Sequence, residues 1–212
     1  MKKLFWQDPY IKECEATVTS KMGPEIQLDQ TIFFAFSGGQ ASDQGTINGI
    51  KVIDAMKSDD NITYILESVP DFNEGDKVKV VIDWENRFKL MRLHSAAHIV
   101  FHMFEDKTGL KNLIGSNITP DKARLDYATD NPISELLPEI ESKTNEITSK
   151  DAEIKTYDDD SEPGKRWWEI EGLGLKDACG GTHVRNTNEI GLIKLKRKNI
   201  GAGKERIEIS LV

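Results

Sequence analysis

The sequence predicts an α+β protein: a small N-terminal antiparallel β-barrel over residues 1–85, followed by a mixed sheet-and-helix domain over residues 86–212. Three observations predict it. Short strand-like runs separated by turn residues fill the first part of the chain. From Trp84 to Lys107 glycine and proline vanish and the apolar spacing becomes helical. Beyond that helix, further strand-like runs surround a second helical segment, which is the α+β pattern.

In order along the first half, the expected strands are Ala16–Ser20, Thr31–Phe36, Gly45–Asp54, Ile62–Ser68 and Lys77–Trp84. Turn signals punctuate them: Met22-Gly23-Pro24, Ser37-Gly38-Gly39, Asn48-Gly49, Ser58-Asp59-Asp60-Asn61 and Asn73-Glu74-Gly75-Asp76. Strands this short and this evenly spaced suit a small antiparallel barrel. Asp83 then offers its carboxylate as a helix N-cap. Phe88, Met91, Ala97, Val100, Phe101 and Phe104 form the apolar stripe, and Gly109 is the stop. Asn117–Tyr127 reads as strand–turn–strand. A second helix covers Pro138–Lys150, with Pro138 in its first turn and Leu137, Ile140, Thr144 and Ile147 on one face. Arg166–Glu171, Glu189–Lys196 and Ile207–Val212 are the remaining strands.

Charge narrows the function classes. The chain of 212 residues carries a net charge of −8, which argues against a generic basic nucleic-acid binder. The charge is unevenly placed. Residues 131–171 hold twelve acidic and five basic side chains, a net −7, leaving −1 for the rest. Residues 191–212 are +4, from six basic residues against Glu205 and Glu208. A run of charge is first of all solvated surface. Two cysteines, Cys14 and Cys179, cannot form a disulfide framework, so a reduced intracellular chain is expected. The longest apolar run, Ile32–Phe36, is far too short to span a bilayer. No membrane association is expected, and a cytoplasmic protein is.

The chemistry concentrates in a few residues. There are four histidines. His94 and His98 lie four apart on the predicted helix, which stacks two imidazoles on one face. Such a pair is more often polar surface than a metal site. Cys179-Gly180-Gly181-Thr182-His183 changes the balance, because the glycines let the backbone fold tightly enough for a thiolate and an imidazole to converge. His94, His98, Cys179 and His183 together suit tetrahedral zinc. His102 continues the helical row as a supporting or core residue, and Cys14 receives no role. A peptidase of the His-Glu-x-x-His type is excluded, because Ser95 stands where its glutamate is required. A structural zinc site with four protein ligands and no open position stays open.

These segments resemble the paired motifs of the alanyl-tRNA synthetase editing domain. More closely, they resemble its free-standing relatives, the AlaX trans-editing proteins. The metal motifs are His94-Ser95-Ala96-Ala97-His98 and Cys179-Gly180-Gly181-Thr182-His183-Val184. Asp83–Arg87, Met91-Arg92, Gly115-Ser116, Asp121–Tyr127, Thr187–Gly191 and Gly201–Glu208 fit flanking blocks of the same family. Phe36–Gly45, containing Gly38-Gly39-Gln40, is similar to the glycine-rich motif of the barrel that accompanies the longer members. The likeness runs in order over roughly residues 30–210. Leu173–Asp177 departs from the synthetase pattern at the rim of the site.

The resemblance implies a two-layer editing domain of the synthetase second-additional-domain type after the barrel, as in the medium-length form. It implies a zinc-dependent aminoacyl-tRNA hydrolase that works without ATP, since no aminoacylation core is present. The implied substrate is alanine tRNA mischarged with serine or glycine. His94, His98, Cys179 and His183 are the implied metal and catalytic residues, with His183 either a fourth ligand or a base. Ser116 matches a position near the acyl pocket. Gln40, with Gly38 and Gly39, either braces the catalytic domain or approaches the acceptor end. Lys194, Lys196, Arg197, Lys198 and Lys204 are the expected tRNA phosphate contacts. The competing expectations are a noncatalytic zinc-stabilised RNA-binding module and an editing domain of the threonyl type; the glycine-rich block argues against the latter.

Overall fold

The computed structural model describes residues 1–58, 61–111, 113–201 and 203–212. The chain forms two compact units. The first comprises Met1–Ser37 and Ala41–Phe88; the second comprises Gly38–Gln40 and Lys89–Val212. The architecture is mixed, mostly sheet with two α-helices.

The first unit holds β1 (Lys2–Lys3), β2 (Glu13–Met22), β3 (Glu25–Leu28), β4 (Gln30–Thr31), β5 (Gly45–Ile47), β6 (Ile50–Ser58), β7 (Asn61–Leu66) and β8 (Lys77–Ile82). Six of these pair in a closed ring, β2-β3-β7-β6-β5-β8, with β8 returning antiparallel to β2. Alternation along each strand points Val18, Ile26, Leu28, Ile47, Ile62, Tyr64, Val78 and Val80 into one shared core. Asn48 (φ 48) and Gly49 (φ 81) both adopt left-handed backbone between the paired Ile47 and Ile50. They make a two-residue hairpin turn, so the single strand expected over Gly45–Asp54 is two strands. β3 was not foreseen. Asp59 and Asp60, in the turn expected at Ser58–Asn61, lie outside the described residues.

The strand expected over Thr31–Phe36 is a correction. Only Gln30–Thr31 pairs, in parallel with Lys2–Lys3. The backbone N–H groups that would have continued the ladder go to side chains instead: Phe33 to Thr31 Oγ1 (2.9 Å), Phe34 to Asp43 Oδ2 (2.6 Å) and Phe36 to Ser42 Oγ (2.8 Å). Ile32–Ala35 are nevertheless buried, so the apolar run packs without being a strand.

α1 (Trp84–Thr108) starts in the first unit and continues through the second. Asp83 caps it as expected, accepting from Asn86 N at 3.1 Å. Gly109 (φ 68) ends it, its N–H donating to Glu105 O at 2.7 Å. At its base Arg87 is fully buried. Its guanidinium donates to Asp43 through Nε (2.7 Å) and Nη2, to Pro9 O (2.8 Å) and to Ile32 O (2.6 Å).

The second unit adds β9 (Leu113–Ile118), β10 (Ala123–Ala128), α2 (Leu137–Thr148), β11 (Lys155–Asp158), β12 (Arg166–Ile170), β13 (Leu175–Ala178), β14 (Ile193–Asn199) and β15 (Lys204–Leu211). One antiparallel sheet runs β14-β15-β10-β9 and another β11-β12-β13. α2 covers the β14 edge: Asn145 exchanges two hydrogen bonds with the backbone of Ile193, and Glu141 accepts from Leu195 N. β11 and β13 were not foreseen. The strand expected from Glu189 begins only at Ile193, because Glu189 folds back to accept from Arg185 N and Asn186 N and closes a 3₁₀ turn. No helix of the described residues is long and apolar enough to cross a membrane.

Candidate metal centre

α1 brings His94 and His98 to one face with their rings stacked 5.0 Å apart. β13 delivers Cys179 from the other side, anchored by Cys179 N donating to Arg166 O at 2.8 Å. The chain then turns through Gly180 and Gly181. At Gly181 an added Cβ would stand 2.3 Å from His94 Cε1, so only glycine lets the turn pass so close to the imidazole. Ser95, the residue that excluded a peptidase, holds the returning loop by accepting from Val184 N. The donor atoms of His94, His98, Cys179 and His183 all lie within 4.8 Å of one another.

Each imidazole is oriented by a second residue. Gln40 is fully buried. Its Oε1 lies 2.8 Å from His94 Nδ1 and accepts from Thr182 N at 3.0 Å; its Nε2 donates to Thr182 Oγ1 at 2.8 Å. An amide oxygen can only accept, so His94 carries its proton on Nδ1 and turns the Nε2 lone pair toward Cys179 Sγ, 3.5 Å away. Asp177 does the same for His98: its Oδ2 lies 2.7 Å from Nδ1, leaving Nε2 buried without a partner. The same oxygen also takes His102 Nε2 at 3.0 Å. The buried Trp168 ring stacks on His98 at 4.6 Å and on His102 at 6.4 Å.

The electrostatics follow from this crowding. Burial raises the Cys179 thiol, but the imidazoles of His94, His183 and His98 more than reverse this and hold it well below its ordinary 9. Burial opposes a charge on His98, yet Cys179 and Asp177 push it up to about 9. Burial, reinforced by His94, pulls His183 down to about 3, so it stays neutral. Asp177 stays ionised: its bonds to His102 and His98 outweigh its burial.

The donor chemistry fits zinc. A tetrahedral zinc with thiolate and imidazole ligands separates sulfur from nitrogen by about 3.6 Å, from its bond lengths of ~2.3 and ~2.05 Å. Cys179 Sγ lies 3.5 Å from both His94 Nε2 and His183 Nε2. His98 Nε2, buried without a partner, offers a further donor once zinc displaces its proton, and Gln40 and Asp177 are the outer supports that metal-binding histidines need.

Residues 169–208 match the threonyl and alanyl tRNA synthetase second additional domain. The chain is 37% identical to the alanyl-tRNA editing protein AlaX-M of Pyrococcus horikoshii, across 99% of this chain and 97% of that protein. The chain belongs to the AlaX-M family. It is also 41% identical to the alanine–tRNA ligase of Methanococcus maripaludis and 34% identical to that of Metallosphaera sedula, spanning only about a quarter of each ligase.

The remaining expected residues divide. Gly39 (φ 85) packs against Ser116 of β9, where an added Cβ would lie 2.7 Å from the Ser116 carbonyl and 2.8 Å from its Oγ. Gly39 O accepts from Ile118 N at 2.7 Å, and Gln40 bridges in parallel to Ile118. Gly38 (φ 57) precedes this contact. Gln40 is engaged at both ends of its amide, by His94 and by Thr182. Arg197, among the expected phosphate contacts, stands apart from the lysines in its surroundings. It alternates onto the buried face of β14 and donates to the buried Glu205. Lys194, Lys196 and Lys198 take the opposite, exposed face, Lys194 paired with Glu141, and Lys204 is exposed on β15. Sequence reasoning missed Asp177, Thr182 and Trp168. Asp177 could have been found: it sits two positions before Cys179, at the end of β13, and residues two apart in extended chain point the same way.

Proposed function

We propose that this chain is a trans-editing hydrolase that cleaves the aminoacyl ester at the 3′ end of alanine tRNA carrying serine or glycine, without ATP. The convergence of three imidazoles and a thiolate in one buried cluster supports this reading, together with the family to which the chain belongs. The second unit carries the activity, with Gly38–Gln40 contributed from the loop between β4 and β5.

A zinc ion held by His94, His98, Cys179 and His183 would supply Lewis acidity toward the ester carbonyl or toward a water molecule. The chain's own residues do the rest. Gln40 and Asp177 fix which nitrogen of His94 and of His98 is free to bind. Neutral His183 is suited to act as a ligand; a role as proton acceptor would need its basicity restored when zinc and substrate are bound. Ser116 shares its sheet face with the buried Leu125 and lies beside Gly39. Its hydroxyl is the group proposed to recognise the serine side chain. A site that hydrogen-bonds a substrate hydroxyl rejects the analogue lacking it by about 10⁴-fold, whereas an apolar pocket rejects an added hydroxyl by only about 100-fold. This asymmetry is the reason for a second, editing site.

A noncatalytic zinc-stabilised RNA-binding module is the second reading, favoured by the presence of four protein donors among the described residues. Purified protein incubated with alanine tRNA charged with serine, glycine or alanine separates the two. Release of serine with alanine retained supports editing. Binding without release supports the module.

A further inference from the structure

Strand alternation in the β14-β15-β10-β9 sheet produces two unlike faces. One face carries Ile193, Leu195, Ile207, Ile209, Ala123, Leu125 and Tyr127, all buried. Tyr127 packs on Phe104 of α1 at 4.0 Å, so this is the face toward the helix that bears His94 and His98. Cross-strand register sets the other face in rows. One row is Lys196, Glu208, Arg124 and Asn117; the next is Lys198, Arg206, Asp126 and Gly115. Lys194 and Lys204 extend it.

The outer face is strongly basic on a chain of net −8. Its two carboxylates are already shared among its bases. Asp126 takes Arg206 (2.6 Å) and Arg124 (3.1 Å), and Glu208 takes Lys122 (2.7 Å). Lys196, Lys198 and Lys204 are exposed, and among the described residues no ion pair ties them down. β9 is the strand at one end of this sheet. There Asn117 points outward and Ser116 inward, while Leu113 and Ile114 are exposed.

We propose that this outer face docks the duplex part of the tRNA. The single-stranded aminoacyl end would then pass over the β9 edge, across Leu113 and Ile114, to Ser116 and the metal cluster. The proposal rests on the editing function above for its choice of RNA. The physical basis is charge complementarity: exposed lysines on one sheet face contact phosphates and release their counterions. It also removes a difficulty, since lysines turned away from the cluster cannot serve the reacting end directly. They can hold the body of the same substrate.

The test is the triple variant Lys196→Ala/Lys198→Ala/Lys204→Ala of the full chain. Its affinity for uncharged alanine tRNA is measured across a salt series, and its KM and kcat are measured on Ser-tRNA(Ala) and on seryl-adenosine, which has no duplex. We expect the log-affinity against log-salt slope to fall by about three, one per lysine. KM for the tRNA should rise roughly tenfold or more at moderate salt, with kcat and seryl-adenosine hydrolysis unchanged. An unchanged slope and KM would overturn the proposal, as would an equal loss on seryl-adenosine. If wild-type protein hydrolysed neither substrate, the editing reading would fail while the salt slope on uncharged tRNA still decided the docking face.

Discussion

The two units bury different things. The first closes a ring of strands over an almost wholly apolar core, with Arg87–Asp43 as its buried ion pair. The second buries His94, Ser95, Gln40, Thr182 and His183 beside its apolar residues. Apolar burial near ~25 cal/mol per Å² stabilises without demanding direction. Buried polar groups stabilise only when every partner is met, so the second interior is specified by individual hydrogen bonds. The first unit should therefore respond to substitution as a matter of fold stability, and the second as a matter of metal affinity.

The largest expected effect breaks this contrast from the first side. Asp43→Ala strands the Arg87 guanidinium in the core, at a cost of about 3–5 kcal/mol. Thermal unfolding should shift down by roughly 10 °C for a chain of this size. At low temperature, zinc bound per chain should stay as in wild type. Gly181→Ala tests the other side. Its Cβ must displace His94 or open the turn, so chelator competition should show zinc affinity weakened at least about a hundredfold, with little change in melting of the metal-free protein. Asp177→Asn and Gln40→Ala remove outer supports rather than ligands, and each should weaken zinc about 10- to 100-fold.

The smallest effect concerns pH in metal-free protein. Between about pH 6.5 and 9 the folded cluster holds a Cys179 thiolate and a protonated His98, while the unfolded chain holds a thiol and a neutral imidazole. The two states bind equal numbers of protons, because the gain from Cys179 as pH rises offsets the loss from His98, so these groups make stability flat there. Below 6.5 the unfolded chain protonates His98 and His183, whereas folded His183 resists down to about 3 and Cys179 remains ionised. Stability should fall with pH in that range, and denaturant titrations at several pH values measure it.

The same contrast explains what was legible in the sequence. Alternation located most of the first unit's ring strands, because an apolar interior leaves a period of two. It failed at Thr31–Phe36, where side chains of Thr31, Ser42 and Asp43 take the backbone donors; hydrophobicity does not report that substitution. It failed again at β11 and β13, which are short and sit in charged sequence. The cluster's donors were readable from His94, His98, Cys179 and His183, because ligand types and glycines are local signals. Gln40's engagement with His94, across 54 positions, was not: nothing local to residue 40 says which imidazole it will meet. Arg197, on the other face of β14 from Lys196 and Lys198, shows the limit of reading charge as a run, since neighbouring residues on a strand face opposite ways.

The proposed function joins zinc and ester hydrolysis in one buried cluster. Serine release from Ser-tRNA(Ala) by wild-type protein, beside Cys179→Ala with bound zinc determined on the same samples, tests it most directly. Wild type should release serine rapidly and hold one zinc per chain, and the variant should lose both. Retained release and retained zinc in Cys179→Ala would contradict it.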